Sequence, residues 1–393
     1  MKFPFNFWGM PAGTVIARRS VATDPHAAIK VATASVVDWG DGTPLENVAA
    51  NVQLNHVYTT TGEVTVTITA AAPHAMNPNL SLKHPASTLP DAGWTSIMIR
   101  DPHMVDFTVK PNASLKTLRI LGRNQWKPHA PANFNNMPDI EEIEIDSYLS
   151  STTLQTMCSG NTKLKRFVCL TPADGVGIEY AFQKCTSLES IQWDFSKNTQ
   201  SSFAFIGAHL AFNPVLDLPE TTTIESMFNS ATGITSLVVT GTRKVTRAIS
   251  FARSATITSI NRMNLDSATN CSGMFYGTNI VHHPGYIGEL TQDVSYMFNK
   301  CPLLETIGDI GMANVTNAAQ MLWYSPKIRS LTLRGLRVSV DVNAMQLDAA
   351  ALDAVFTSLG TANAGATINI TGNPGAATCN KAIATAKSWS VTG

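Results

Sequence analysis

The sequence predicts an α/β solenoid, a parallel sheet with a short helix in every coil, set between a small N-terminal all-β domain and a C-terminal α/β cap. Three observations point there. A phenylalanine-centred pattern returns every 23 to 25 residues, with anchors at Val109, Phe134, Cys158, Phe182, Phe205, Phe228, Phe251, Phe275, Phe298 and Leu322. A fixed period of that length marks stacked units that each touch only their neighbours. Before the first anchor, β-prone runs of period two lie between Gly- and Asp-rich turns. After the last, the period gives way to a helix–strand–helix–strand pattern. The chain therefore divides into a β-domain (1–70), a connecting segment with a first-rung cap (71–108), the solenoid (109–345) and a closing cap (346–393).

The composition is that of a folded chain. Of 393 residues 44% are apolar and 14% charged, and 28 Lys plus Arg balance 28 Asp plus Glu. A zero balance argues against nucleic acid, which needs a clustered positive field. No stretch approaches the roughly 20 apolar residues of a membrane span. Met1–Trp8 is interrupted by Pro4 and lacks the unbroken apolar core of a secretory signal, so assembly in the cytoplasm is expected.

In the β-domain, Thr14–Val21 and residues 29–37 read as strands, followed by the turn Asp38-Trp39-Gly40-Asp41-Gly42-Thr43. His56-Val57-Tyr58 and the alternating run Glu63–Thr69 supply another pair. Gly40 and Gly42 permit positive φ, and Asp38 and Asp41 can cap neighbouring amides. Two carboxylates also suggest calcium, but a hard cation wants six or more oxygens, so capping is the preferred reading. His56 and Tyr58 are expected to pin the domain through buried hydrogen bonds. This WGDG turn, H-x-Y and alternating strand resemble the PKD-type (Ig-like) β-sandwich module over about residues 29–70. Residues 71–108 carry His74, His84 and His103 among prolines, read as loop residues, and end in a strand near Trp94–Ile99.

Within each coil the anchor and a small residue at +3 are predicted to share one face of a short helix, with Cys185 and Cys301 as buried thiols. The residues at +6, +9 and +11 then form a strand, as in Leu115, Leu118 and Ile120 or Ile328, Leu331 and Leu333. Strands of successive coils should pair in parallel. Val294-Ser-Tyr-Met297-Phe298 followed by Cys301, Leu304 and Ile307, Val315-Thr-Asn-Ala-Ala-Gln-Met321, and Cys271-Ser-Gly-Met274-Phe275-Tyr-Gly resemble the BspA-like class of leucine-rich repeats. That resemblance implies an α/β leucine-rich-repeat solenoid of the kind found in bacterial surface proteins and phage virion proteins, where a PKD-like module often precedes the repeats. The tail is predicted as helix 347–359, strand 366–370, helix 376–387 and strand 389–391, and it resembles tails of phage virion proteins carrying such repeats.

No G-x-S-x-G, P-loop, HExxH or dinucleotide turn is present, so no catalytic residue, cofactor or metal site is assigned. His282-His283 reads as a loop. Glu142 and Glu144 are expected to face outward and pair with Arg119 and Arg166. The outward position at +8 is dominated by hydroxyls, Ser190, Ser236, Ser259, Thr306 and Ser330, which form the candidate binding set. Phe3, Phe5, Phe7 and Trp8 form the candidate docking patch, too apolar to be left in water together. The expectation is a non-enzymatic phage virion protein, multicopy, tail-associated or capsid-decorating. It would bind other virion proteins and a host-surface glycan or protein receptor. A decoration or cement protein without a receptor role and a secreted bacterial surface adhesin are the alternatives.

Overall fold

The structure is a computed structural model and describes residues 13–21, 25–31, 34–70, 79–83, 94–100, 106–107, 114–126, 134–135, 137–149, 154–170, 175–285 and 288–393. They form two compact units, residues 1–176 with 184–194, and residues 177–183 with 195–393. The fold is a mostly-β solenoid. This corrects the α/β leucine-rich-repeat expectation, because among the described residues the α-helices are only Ala349–Ser358 and Ala382–Thr385, both after the solenoid coils.

In the first unit, Thr14–Ser20, Glu63–Ala70, Ser35–Asp38 and Glu46–Val48 are antiparallel neighbours. Trp94–Arg100 pairs antiparallel with Thr14–Ser20 on one side and parallel with Thr117–Trp126 on the other. The same nine-stranded sheet continues in parallel through Glu142–Leu149, Arg166–Cys169 and Ser190–Gln192. The sheet thus passes without a break from β-domain to solenoid. A four-stranded sheet holds Gln53–Val57, His26–Val31, Asn79–Lys83 and Asp106–Phe107. The single strand expected over 29–37 is in fact two, His26–Val31 and Ser35–Asp38, in different sheets.

Between Ser35–Asp38 and Glu46–Val48 the WGDG turn works as a cap. Asp38 Oδ1 accepts from Gly40 N at 2.9 Å, and Asp41 Oδ1 accepts from Thr43 N at 3.1 Å. Gly40 has φ 74°, and a Cβ there would meet Thr65 O at 2.2 Å, so glycine is required. Asp41 Oδ2 lies 2.8 Å from His56 Nε2, and the His56 ring stacks on Trp39 at 4.5 Å. Burial opposes ionisation of Asp41, but hydrogen bonds from Thr43 and His56 outweigh it and hold the carboxyl at about 2. Tyr58 departs from expectation: its ring is buried against His56, but its hydroxyl has no hydrogen-bond partner among the described residues.

In the second unit, Val215–Asp217, Ser236–Thr240, Ser259–Ile260, His282–His283, Thr306–Gly311 and Ser330–Arg334 form a six-stranded parallel sheet. The strands of the L-x-x-L-x-L positions therefore fall into two sheets. The second begins late in the Phe205 coil, where Pro214 has no N–H to give a ladder. Asn213 Oδ1 takes over there, accepting from Thr235 N at 3.0 Å and Ser236 N at 2.9 Å.

The anchor segments are turns, not helices. Two residues before and two after the anchor position, the backbone is left-handed, as at Tyr180 and Lys184, Ser226 and Ser230, or Tyr296 and Lys300, with φ of 52 to 58°. A helix cannot contain such residues. Successive i to i−3 bonds form instead, as from Met227 N to Ile224 O, Asn229 N to Ser226 O and Ala231 N to Phe228 O. The alternate amides reach the next coil: Ser226 N to Ile249 O, Phe228 N to Phe251 O and Ser230 N to Arg253 O. From Phe182 to Phe298 the anchor turns are thus held by a second parallel ladder, separate from that of the strands.

That ladder fixes the register. Phe205, Phe275 and Phe298 donate to the carbonyls of Met227, Met297 and Met321, but Phe228 donates to Phe251, and Ala252 donates to Met274. Phe251 therefore occupies the methionine place and Ala252 the anchor place, one residue later than the sequence pattern assigns. The ring geometry follows: Phe182–Phe205, Phe205–Phe228 and Phe275–Phe298 stack at 5.3, 5.2 and 5.7 Å, whereas Phe251 meets Phe228 and Phe275 edge-on.

The small +3 residue does more than fit. Cys185 Sγ lies 3.1 Å from Cys158 O, Cys301 Sγ 3.1 Å from Phe275 O, and Ser325 Oγ 2.6 Å from Phe298 O. Each donates to the anchor-position carbonyl of the preceding coil. Asn161 plays the part fully, with Nδ2 donating to Phe134 O at 2.7 Å and Oδ1 accepting from Met137 N at 2.8 Å. Asn161 is fully buried, so Asn161→Ala strands a donor and an acceptor. It should lower the unfolding free energy by about 2 kcal/mol or more, read by denaturant titration; a change under about 0.5 kcal/mol would reject this role.

In the tail, Val340–Asp341, Thr367–Asn369 and Ser390–Thr392 pair in parallel. Asp348 caps the helix Ala349–Ser358, its side chain accepting from Ala351 N at 2.8 Å. Lys387 Nζ donates to Phe356, Thr357 and Leu359 carbonyls at the other end. The helix expected over 376–387 shrinks to Ala382–Thr385, with turns before it.

Candidate functional site

Strand alternation decides which residues face out. In the second unit, Leu237, Ile260, Ile307 and Leu331 are buried, and the residue before each points outward. Cross-strand register places Ser236 opposite Ser259, Ser259 opposite His282, His282 opposite Thr306, and Thr306 opposite Ser330. Four of the five predicted hydroxyl residues thus stand in one column. Ser259 and Ser330 are exposed, Ser236 and Thr306 half-buried.

Ser190 stands in a different setting. It lies in the nine-stranded sheet opposite Arg166, which follows Glu142 and Thr117. The face around this column is charged. Arg119 Nε is 3.3 Å from Glu144, Arg166 is 3.4 Å from the same carboxylate, and Lys165 is 2.8 Å from Glu141. The expected cross-strand ladder is present. The docking residues Phe3, Phe5, Phe7 and Trp8 lie outside the described residues, as do His74, His84 and His103.

His282, which the sequence predicts in a loop, belongs to the column. His282 is exposed on a strand, and its Nδ1 lies 2.9 Å from Thr306 Oγ1. Its neighbour His283 points inward, between Phe275 and Phe298 at 5.2 and 5.0 Å. Burial lowers the His283 pKa to about 3. The available signal is position: His282 falls at +7 from Phe275, one place short of the +8 that Ser236, Thr306 and Ser330 hold from Phe228, Phe298 and Leu322.

The opposite face is made by the anchor turns. Tyr180 and Phe203, both at the left-handed position before the anchor, stack at 4.7 Å. Farther along, Tyr296 stands at the same position, while Arg253, Tyr276 and Trp323 share the place just after the anchor. Arg253 lies over the Tyr276 ring at 4.3 Å and Trp323 stacks on Tyr324 at 4.5 Å. Sequence reading missed this face. The one-residue slip at Phe251 put Arg253 in the wrong column and hid its pairing with Tyr276.

Cys158, Cys169, Cys185, Cys271 and Cys301 are buried, and none forms a disulfide among the described residues. Burial pushes Cys185 and Cys271 up to about 12, so neither is a nucleophile at neutral pH. Among the described residues no group of three or more His, Cys, Asp or Glu converges as a metal site, and no helix is long and apolar enough to cross a membrane. No family model matches the sequence, and no curated protein matches it.

Proposed function

We propose that this protein is a non-enzymatic structural and binding component of a phage virion. In this reading it is multicopy, exposed on the particle at the tail or capsid, and contacts a host-surface glycan or receptor through its repeated sheet face. The observation that carries the reading is the in-register column Ser236, Ser259, His282, Thr306 and Ser330. A column of polar groups at strand spacing, about 4.8 Å apart, offers a repetitive partner a series of weak contacts. Such contacts multiply in avidity without any one being strong. The virion setting is supported by the resemblance of the repeats and the tail to phage virion proteins.

The test is adsorption of particles carrying Ser236→Arg with Ser259→Arg. Two long cations then cover the column, while substitutions on such outward positions change stability by only about 0.5 kcal/mol. Adsorption to host cells should fall at unchanged protein content of the particle. Normal adsorption at normal content would reject the sheet face as the attachment surface. It would favour a decoration protein that works through its virion neighbours.

A further inference from the structure

The anchor-turn face carries a groove of about 500 Å³ in the second unit, running across three coils. Its floor is Ser250, Ser272, Gly273 and Ser295, and its walls are Tyr296 and the Arg253–Tyr276 pair. Gly273 makes the groove possible. It has φ 59°, but Ser226, Ser250, Tyr296 and Gln320 adopt nearly the same φ at the same position, so the conformation does not require glycine. What glycine provides is room, since a Cβ would stand 3.3 Å from Ser250 Oγ inside the groove.

The polar groups of this groove are unspent. The hydroxyls of Ser250, Ser272, Ser295, Tyr276 and Tyr296 make no hydrogen bond with any described residue, although Ser295 is only 6% exposed. Arg253 contacts the Tyr276 ring, and Lys300 Nζ lies 5.5 Å from the same ring, yet neither has a carboxylate partner among the described residues. Elsewhere in this unit Lys244, Arg247, Arg329 and Arg334 each have one. Tyr296 leaves 41% of its surface exposed.

The geometry points to a saccharide site on the anchor-turn face, selective for a sugar bearing a carboxylate. A pyranose has an apolar C–H face for an aromatic ring and hydroxyls on its edges. Here Tyr296 offers the ring, the serines offer neutral donor–acceptors, and Arg253 with Lys300 offers the counter-charge. A flat protein epitope would leave the recessed Ser295 hydroxyl unmatched. The inference deepens the reading of this chain as a binding protein, but it places the ligand on the face opposite the hydroxyl column.

The test uses the full chain and a panel of galacturonate, glucuronate and sialate oligomers, with the methyl-esterified form of each as its neutral counterpart, followed by titration calorimetry. At least one acidic oligomer should bind, and its ester more weakly by about five-fold or more, since the ester cannot pair with the cations. Arg253→Gln should reduce that preference. Gly273→Gln, the residue Gln320 supplies at the equivalent position, should fill the groove and lower affinity by about ten-fold or more. Tyr296→Ala should do likewise by removing the platform. The Ser236→Arg, Ser259→Arg protein should bind the oligomers normally, which separates failure of this site from failure of the sheet face. Absence of binding by every acidic oligomer at millimolar concentration would overturn the proposal. So would binding that both Gly273→Gln and Tyr296→Ala leave unchanged while their melting temperatures match the parent.

Discussion

Phe228→Ala should lower the unfolding free energy by about 3–5 kcal/mol, the range for truncating a fully buried ring. Phe228 has no exposed surface, stacks on Phe205 at 5.2 Å and meets Phe251 edge-on at 5.5 Å. Its removal leaves a cavity in a column that cannot close, because the ladders on both sides fix the coil spacing. Phe228 N donates to Phe251 O and Ser230 N to Arg253 O, so the turn cannot slide inward. Urea titration of the variant would show a lower midpoint. A loss below about 1 kcal/mol would mean that the coils do collapse and that the Phe column is not the main source of cohesion.

The second large effect is on pH dependence. His283 is buried between Phe275 and Phe298, and its Nδ1 accepts from Gly285 N at 3.2 Å, so the proton of the neutral ring sits on Nε2. Burial lowers its pKa from 6.5 to about 3. The unfolded chain therefore takes up the proton first as pH falls. Stability is full above about 6.5 and declines by up to roughly 1.4 kcal/mol per unit down to about 3, a loss on the order of 5 kcal/mol. His283→Met keeps an apolar filler and has nothing to protonate. The difference in stability between parent and variant, measured from pH 4 to 7, should slope with pH, since other groups cancel in the subtraction. Parallel curves would show that the ring is not held neutral. Asp41 acts at lower pH: its carboxyl, held at about 2, contributes stability above its unfolded value that is lost as pH falls toward 2.

Several parts of this architecture were legible in the chain because they depend on short-range periodicity. Alternation in Glu63–Thr69 and in each L-x-x-L-x-L run places every second side chain inside, whatever the neighbours are. The outward charges Arg119, Glu142, Glu144 and Arg166 could be paired on paper because one coil later means one strand over. The helix predicted over 347–359 was legible as an Ala- and Leu-rich run, and the structure gives it as Ala349–Ser358. The 23- to 25-residue period required stacking, as no coil of that length can bury its own apolar face.

The tertiary structure alone decided what happens at the anchors. An apolar residue with a small one three places on fits a helix and equally fits consecutive turns, since both bring i and i+3 to one side. The choice is made by the neighbouring coil, whose carbonyls take every second amide and so break the continuous ladder a helix needs. The same long-range bonds place Phe251 in the methionine column, turn Cys185, Cys301 and Ser325 into donors for another coil's carbonyl, and send His283 inward. By itself the sequence determined that the chain repeats, which residues of the L-x-x-L-x-L runs are buried and that those strands run parallel. Conformation at each anchor and the contents of each face waited on partners some 23 residues away, because in a solenoid a residue's nearest neighbours in space lie in the next coil.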